Sequence, residues 1–227
     1  MMSRRPLSSA LLSLLLSAMT LPAAAQGIFD KPPIAGAAPD APSAQTAPAT
    51  QTPAVRGPLD FEVSTELRKQ NQQKFLSAMD ATYPGVFTAE AHEQDLMALL
   101  GQALEKYGLR VDNLGDAFTA WLMISHSIVT QDEAEPTPEQ VAGTKKLAED
   151  AMLALPDLTQ MSDADKQTTA EALLLQAMLN ETVYDVTKEH QPDNLQKVIE
   201  DVRSAARESS IDLDKFVMTP NGLQVAQ

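Results

Sequence analysis

Residues 112–130 read DNLGDAFTAWLMISHSIVT. Asp112 and Asn113 are residue types whose side chains accept from the free amides at a helix start. Behind them Leu114, Ala117, Phe118, Trp121, Leu122, Ser125 and Ile128 recur at spacings of three and four. That spacing gathers the apolar groups on one face of a helix. No proline interrupts the run. The stretch predicts an amphipathic helix that begins at a polar cap and buries one stripe.

The same grammar repeats on both sides. Ser64 or Thr65 caps a first helix to about Met79, closed by Tyr83-Pro84-Gly85. Thr88 is expected to cap a second, with Leu96, Leu99, Leu100, Ala103, Leu104 and Tyr107 on one face and Gly108 as its stop. Thr137-Pro138-Glu139-Gln140 combines a capping box with proline at the first helical position, and Pro156 closes that fourth helix. Ser162-Asp163-Ala164-Asp165 opens the fifth and longest, reaching about Lys188. Asp193 is expected to cap the sixth, with Leu195, Val198, Ile199, Val202 and Ala206 inward. Asn221-Gly222, between two short apolar runs from Phe216 to Val225, predicts a small hairpin or a frayed tail. Beyond residue 58 the prolines at 84, 136, 138, 156, 192 and 220 fall between periodic segments or at their first positions. An interior proline would cost about 3 kcal/mol, so this punctuation supports the helices. The expected fold class is all-α: a single bundle of about six helices over residues 59–227, with a short C-terminal hairpin.

The N-terminal part is of another kind. Arg4 and Arg5 precede an uncharged apolar run from Leu7 to Leu21, then Pro22 and Ala23-Ala24-Ala25. This is the pattern of a secretory signal peptide over residues 1–25, with cleavage between Ala25 and Gln26. The run is short for a membrane-spanning helix, which needs about 20 apolar residues. The expected location is therefore the periplasm or the exterior, with no stable membrane insertion after cleavage. Residues 26–58 carry seven prolines among Ala, Thr, Ser and Gln. So little large apolar surface does not offset the entropy of ordering a backbone, so a disordered lead is expected.

Composition narrows the chemistry. The protein has 227 residues, no cysteine, 17 Lys and Arg, and 31 Asp and Glu, for a formal charge of −14. Disulfides, thiol catalysis and thiolate metal sites are excluded. Nucleic acid is not an expected partner, since a phosphate backbone rewards clustered cations and this surface repels it over a Debye length of about 8–10 Å. A basic protein partner suits the charge better.

The motifs that resemble catalytic ones fail on their spacing. His92-Glu93-Gln94-Asp95-Leu96 begins like a zinc-protease helix but has leucine where the second histidine must stand. Asp212-Leu213-Asp214 begins like a calcium loop but lacks its glycine and its closing glutamate. Residues 131–135, QDEAE, read as a solvated loop able to face a cation or a basic partner. His126 would need an oriented partner to act as acid or base, Glu133 or Asp116 being the conceivable ones; otherwise it is a satisfied core or surface histidine. Gly101, Gly115 and Gly143 sit inside helical patterns, which points to close helix approach rather than to a ligand. No cofactor or metal site is expected.

Residues 107–118, YGLRVDNLGDAF, continuing to Trp121, together with residues 170–177, AEALLLQA, resemble an uncharacterised family of exported, all-helical bacterial proteins with an Ala/Pro-rich lead. The resemblance implies fold and compartment and carries no activity. Physically, Gly108 followed by the Asp112-Asn113 cap is a corner between helices. The other reading makes Asp112, Asn113, Asp116, Trp121 and His126 the edge of a binding groove. Two functions remain in view. One is a non-enzymatic exported protein acting through protein contacts, of an immunity, inhibitor or envelope-accessory type. The other is a small-ligand binder or hydrolase with a pocket between helices two, three and five.

Overall fold

Local capping sets where most of the helices begin. In the computed structural model, which describes residues 56–82, 92–155 and 160–226, Ser64 Oγ accepts from the Leu67 amide at 3.2 Å and opens α1, Thr65–Thr82. Asp95 accepts from the Ala98 amide at 3.0 Å and opens α2, Leu96–Glu105. The cap expected at Thr88 lies outside the described residues, and the helix carrying Leu96 starts from Asp95 instead. Gly108 then turns the backbone at φ +67°, a left-handed conformation that glycine adopts without a Cβ penalty. Asn113, not Asp112, caps α3, Leu114–Thr130, accepting from the Asp116 amide at 2.9 Å. The capping box at Thr137 and Gln140 is complete in both directions and starts α4, Pro138–Leu153. Ser162 caps the 28-residue α5, Asp163–His190. The sixth helix departs from expectation. Pro192–Asn194 forms a 3-10 turn that feeds α6, Leu195–Glu208, so Asp193 lies within that turn rather than at the cap. Asn194 is itself already helical, and this end has no capping side chain. A second 3-10 turn, Leu213–Lys215, leads into the antiparallel hairpin of β1, Phe216–Thr219, and β2, Gly222–Val225, which pairs Thr219 with Gly222. The tight turn is therefore Pro220-Asn221, with Gly222 opening the second strand.

Among the described residues the molecule is all-α with this one small hairpin, as the sequence predicts. α3 and α5 form its axis, packing against each other along their length. They meet at one end through Asp60, which pairs with Asn113 and whose carbonyl accepts from Lys166 at 3.5 Å. At the other end Lys188 is ion-paired to Glu133. Two apolar cores flank the axis. One joins Leu59, Phe61, Leu76, Leu96, Met97, Leu114 and Leu174 among others, from the entry segment through α1, α2, α3 and α5. The other joins Trp121, Leu122, Val198, Ile199, Leu213 and Leu223, and seats α6 and the hairpin. Phe118, Met123 and Leu173 pack against both. The low aromatic content is reflected in these aliphatic cores. No described helix is long and apolar enough to cross a membrane. The segments read as signal peptide and as most of the lead lie outside the described residues.

Candidate functional site

The polar corner expected around Asp112 and Asn113 is a network built on α3's first turn. Asp116 is wholly buried. Its Oδ2 accepts from the Arg110 backbone amide at 3.1 Å, and Lys145 Nζ from α4 stands 2.5 Å from its Oδ1. That ammonium makes a charge contact rather than an aligned hydrogen bond, and Oδ1 has no hydrogen-bond partner among the described residues. Asp60 completes the corner. Its carboxylate accepts from the Gly57 amide and the Asn113 side-chain amide, both at 2.7 Å, and is ion-paired to Arg110. Partial burial pushes the Asp60 carboxyl up, but the hydrogen bonds from Asn113, Gly57 and Arg110 outweigh it and hold it below the usual carboxylate range. Arg110 is likewise held more firmly protonated: burial opposes its charge, and Asp60, Asp112 and Asp116 more than restore it. The Phe61 amide donates to the Asp112 carbonyl and the Leu114 amide to the Leu59 carbonyl, fixing the entering segment across the helix start.

A second buried carboxylate, Glu171 on α5, binds α1. Asn71 Nδ2 donates to it at 2.7 Å, Gln167 Nε2 at 2.9 Å and Arg68 Nε at 3.1 Å. Gln167 also bonds both the amide and the carbonyl of Ser64. One guanidinium nitrogen of Arg68, Nη2, is buried without a hydrogen-bond partner among the described residues.

Beside the corner a cleft of about 560 Å³ opens between the end of α2, the 131–137 connection and the start of α4. Tyr107, Gly108, Pro136, Pro138, Val141 and Ala142 give it apolar walls, and Lys106, Glu135 and Lys145 its charged rim. Lys106 Nζ donates to Glu135 at 2.7 Å and lies 4.5 Å from the centre of the Tyr107 ring, so both the carboxylate and the ring hold its charge. Helices two and four line this cleft, rather than two, three and five.

The five residues set aside as a groove separate. Asp112, Asn113 and Asp116 meet at the corner, where each has a structural partner. Trp121 and His126 lie in or beside the second core. Trp121 stacks on Phe118 at 5.7 Å between ring centres, with the rings 12° from parallel. His126 is buried and its Nε2 donates to the Phe216 carbonyl at 3.1 Å, tying α3 to the hairpin. Its two conceivable acid–base partners are engaged elsewhere, Glu133 with Lys188 and Asp116 with Lys145 and Arg110. His92 pairs with Asp80 at 3.1 Å, and Asp214 of the calcium-like triplet pairs with Arg203 and Arg207. Among the described residues no group of three or more His, Asp or Glu side chains is placed to hold a metal ion.

Sequence reading missed Asp60, Arg110 and Lys145 at the corner, and Arg68, Asn71, Gln167 and Glu171 inside. One signal was present. Gln167 and Glu171 occupy the inward stripe of α5 with Ala170, Leu174 and Met178, and a polar pair at core positions demands a buried partner.

A family model described as a family of unknown function, DUF6683, matches residues 12–226, so the protein belongs to that family. The resemblance seen in residues 107–121 and 170–177 thus leads to an uncharacterised family. No curated protein and no solved structure matches it.

Proposed function

We propose that this member of DUF6683 is an exported, non-enzymatic helical protein that acts by binding a basic protein partner. The observation that carries the reading is that its buried carboxylates and its buried imidazole are engaged by partners inside the fold. Asp116 and Glu171 are each held by cations and amides, and His126 is spent on the hairpin. What remains free to act is the surface, and a protein at −14 draws cationic partners and repels anionic ones. Export rests on the basic start, the apolar run and the Ala-x-Ala site before Gln26. An immunity, inhibitor or envelope-accessory role fits this chemistry and compartment.

The cleft beside Tyr107 favours a second reading, a small-ligand binder with Tyr107 and Val141 as apolar wall and Lys106 and Lys145 as charged rim. One experiment separates the two. The exported protein, whose mass should begin at Gln26, is used to capture partners from envelope extract over a salt series. A basic protein retained at low salt and released as ionic strength rises supports the first reading. Salt-indifferent capture, or no capture together with small-molecule binding lost in Tyr107→Ala, overturns it.

A further inference from the structure

The turn of the hairpin joins an exposed asparagine, Asn221, to a buried glycine, Gly222. In an Asn-Gly pair the glycine amide nitrogen can reach the carbonyl carbon of the asparagine side group with no Cβ in its way. Here the peptide between the two residues is also where the hairpin touches α4. A Cβ built on Gly143 would stand 1.7 Å from the Asn221 carbonyl oxygen and 3.3 Å from the Gly222 nitrogen. A Cβ on Gly222 would stand 2.5 Å from the Thr144 nitrogen and 2.7 Å from the Gln140 carbonyl oxygen. Backbone thus lies directly on backbone. Around that contact Gln140 Nε2 donates to the Thr219 carbonyl at 3.1 Å, and the Leu223 amide to Thr144 Oγ1 at 2.9 Å. The Asn221 amide is held by Thr219 Oγ1 at 3.1 Å. Cyclisation needs this peptide to swing toward its own side group, and in the seated hairpin it has nowhere to swing.

We propose that Asn221 is a site of spontaneous deamidation, gated by the seating of the hairpin on α4, and that its isoaspartate product is a one-way release of that hairpin. The Gly222 nitrogen, its proton taken by solvent base, bonds to Asn221 Cγ. The bond from Cγ to Nδ2 breaks and that nitrogen leaves as ammonia, giving a succinimide. Water then opens either carbonyl, yielding aspartate or isoaspartate, with no change of oxidation state. Isoaspartate carries the backbone through Cβ and Cγ, one methylene longer, at the point pressed against Gly143. A longer turn cannot resume that contact. The bonds from Gln140, Thr144 and His126 to the hairpin are then lost together.

The full-length protein is aged at mildly alkaline pH and mapped by peptide mass spectrometry, with a protein isoaspartyl methyltransferase as the probe for the product. Gly143→Ala and Thr144→Val loosen the seat, and Asn221→Gln removes the site. Both loosened variants should deamidate at least about tenfold faster than the unaltered protein, because reaction proceeds from the locally opened form. Isoaspartate-bearing molecules should lose hydrogen-exchange protection at the Leu223 amide, while aged Asn221→Gln keeps it. Circular dichroism checks that each variant retains its helices; if Gly143→Ala does not, Thr144→Val decides. Equal rates in the loosened and unaltered proteins, or full Leu223 protection in the isoaspartate form, overturn the proposal.

Discussion

The corner at the start of α3 and the seat of the hairpin are fastened by different physics. Around the first turn of α3, that helix, α4 and the entering segment are tied by charge: Asp60 to Arg110, Asp116 to Lys145. The hairpin, seated on α3 at His126 and on α4 at Gln140, Gly143 and Thr144, is held by neutral hydrogen bonds and by glycine against backbone. Charge pairs tolerate small shifts in geometry but answer to pH and salt. A backbone contact ignores both and tolerates no added atom. One fold thus carries a corner sensitive to solution conditions and a seat sensitive to shape.

Three measurements bear on that contrast, the largest effect first. Glu171→Ala extends it inward to the α1–α5 network, leaving the half-buried Arg68 without its counter-charge. Chemical denaturation should show a loss of about 3–5 kcal/mol, and a loss under about 1 kcal/mol would mean the pair is solvated. Gly143→Ala should cost about 2–3 kcal/mol through displacement of the hairpin, a case of overpacking. That loss should be the same at low and high salt; salt dependence would erase the distinction between corner and seat. The smallest effect is the pH response of Asp60. Its carboxyl is held below the usual value, so its contribution is complete above the unfolded-state pKa and is lost as pH falls through the lower folded value. The stability of Asp60→Asn should therefore fall less steeply with acid than that of the unaltered protein in that window. Parallel acid profiles would place the corner's acid sensitivity elsewhere.

Capping was legible in the sequence because a cap is a bond between neighbours. Thr137 with Gln140, Ser162 and Asn113 act as their residue types and spacing predict. The start of α2 was less legible. Gln72, on α1, donates to the Gln94 carbonyl and accepts from the Leu96 amide, so a distant residue helps fix that boundary. The start of α6 misled because Pro192 sets a 3-10 turn ahead of the helix, which shifts the first α-helical residue past the obvious Asp193. The groove was half legible. Asp112, Asn113 and Asp116 do share a corner, being neighbours on one helix start. Trp121 and His126 share the same sequence stretch but meet the other core, because each residue advances about 1.5 Å along the helix and they lie farther along α3, where the second core begins.

The sequence by itself determined that the protein forms about six helices with a small hairpin, where most of them begin, and that it has no cysteine for thiol chemistry. These follow from spacing, caps and composition, which act between neighbours or over the molecule as a whole. Only the tertiary structure decided that Glu171 answers Arg68 across 103 residues and that Thr144 anchors Leu223 across 79. Such pairs exist once packing has brought remote backbone together, and no local pattern specifies which remote groups will meet.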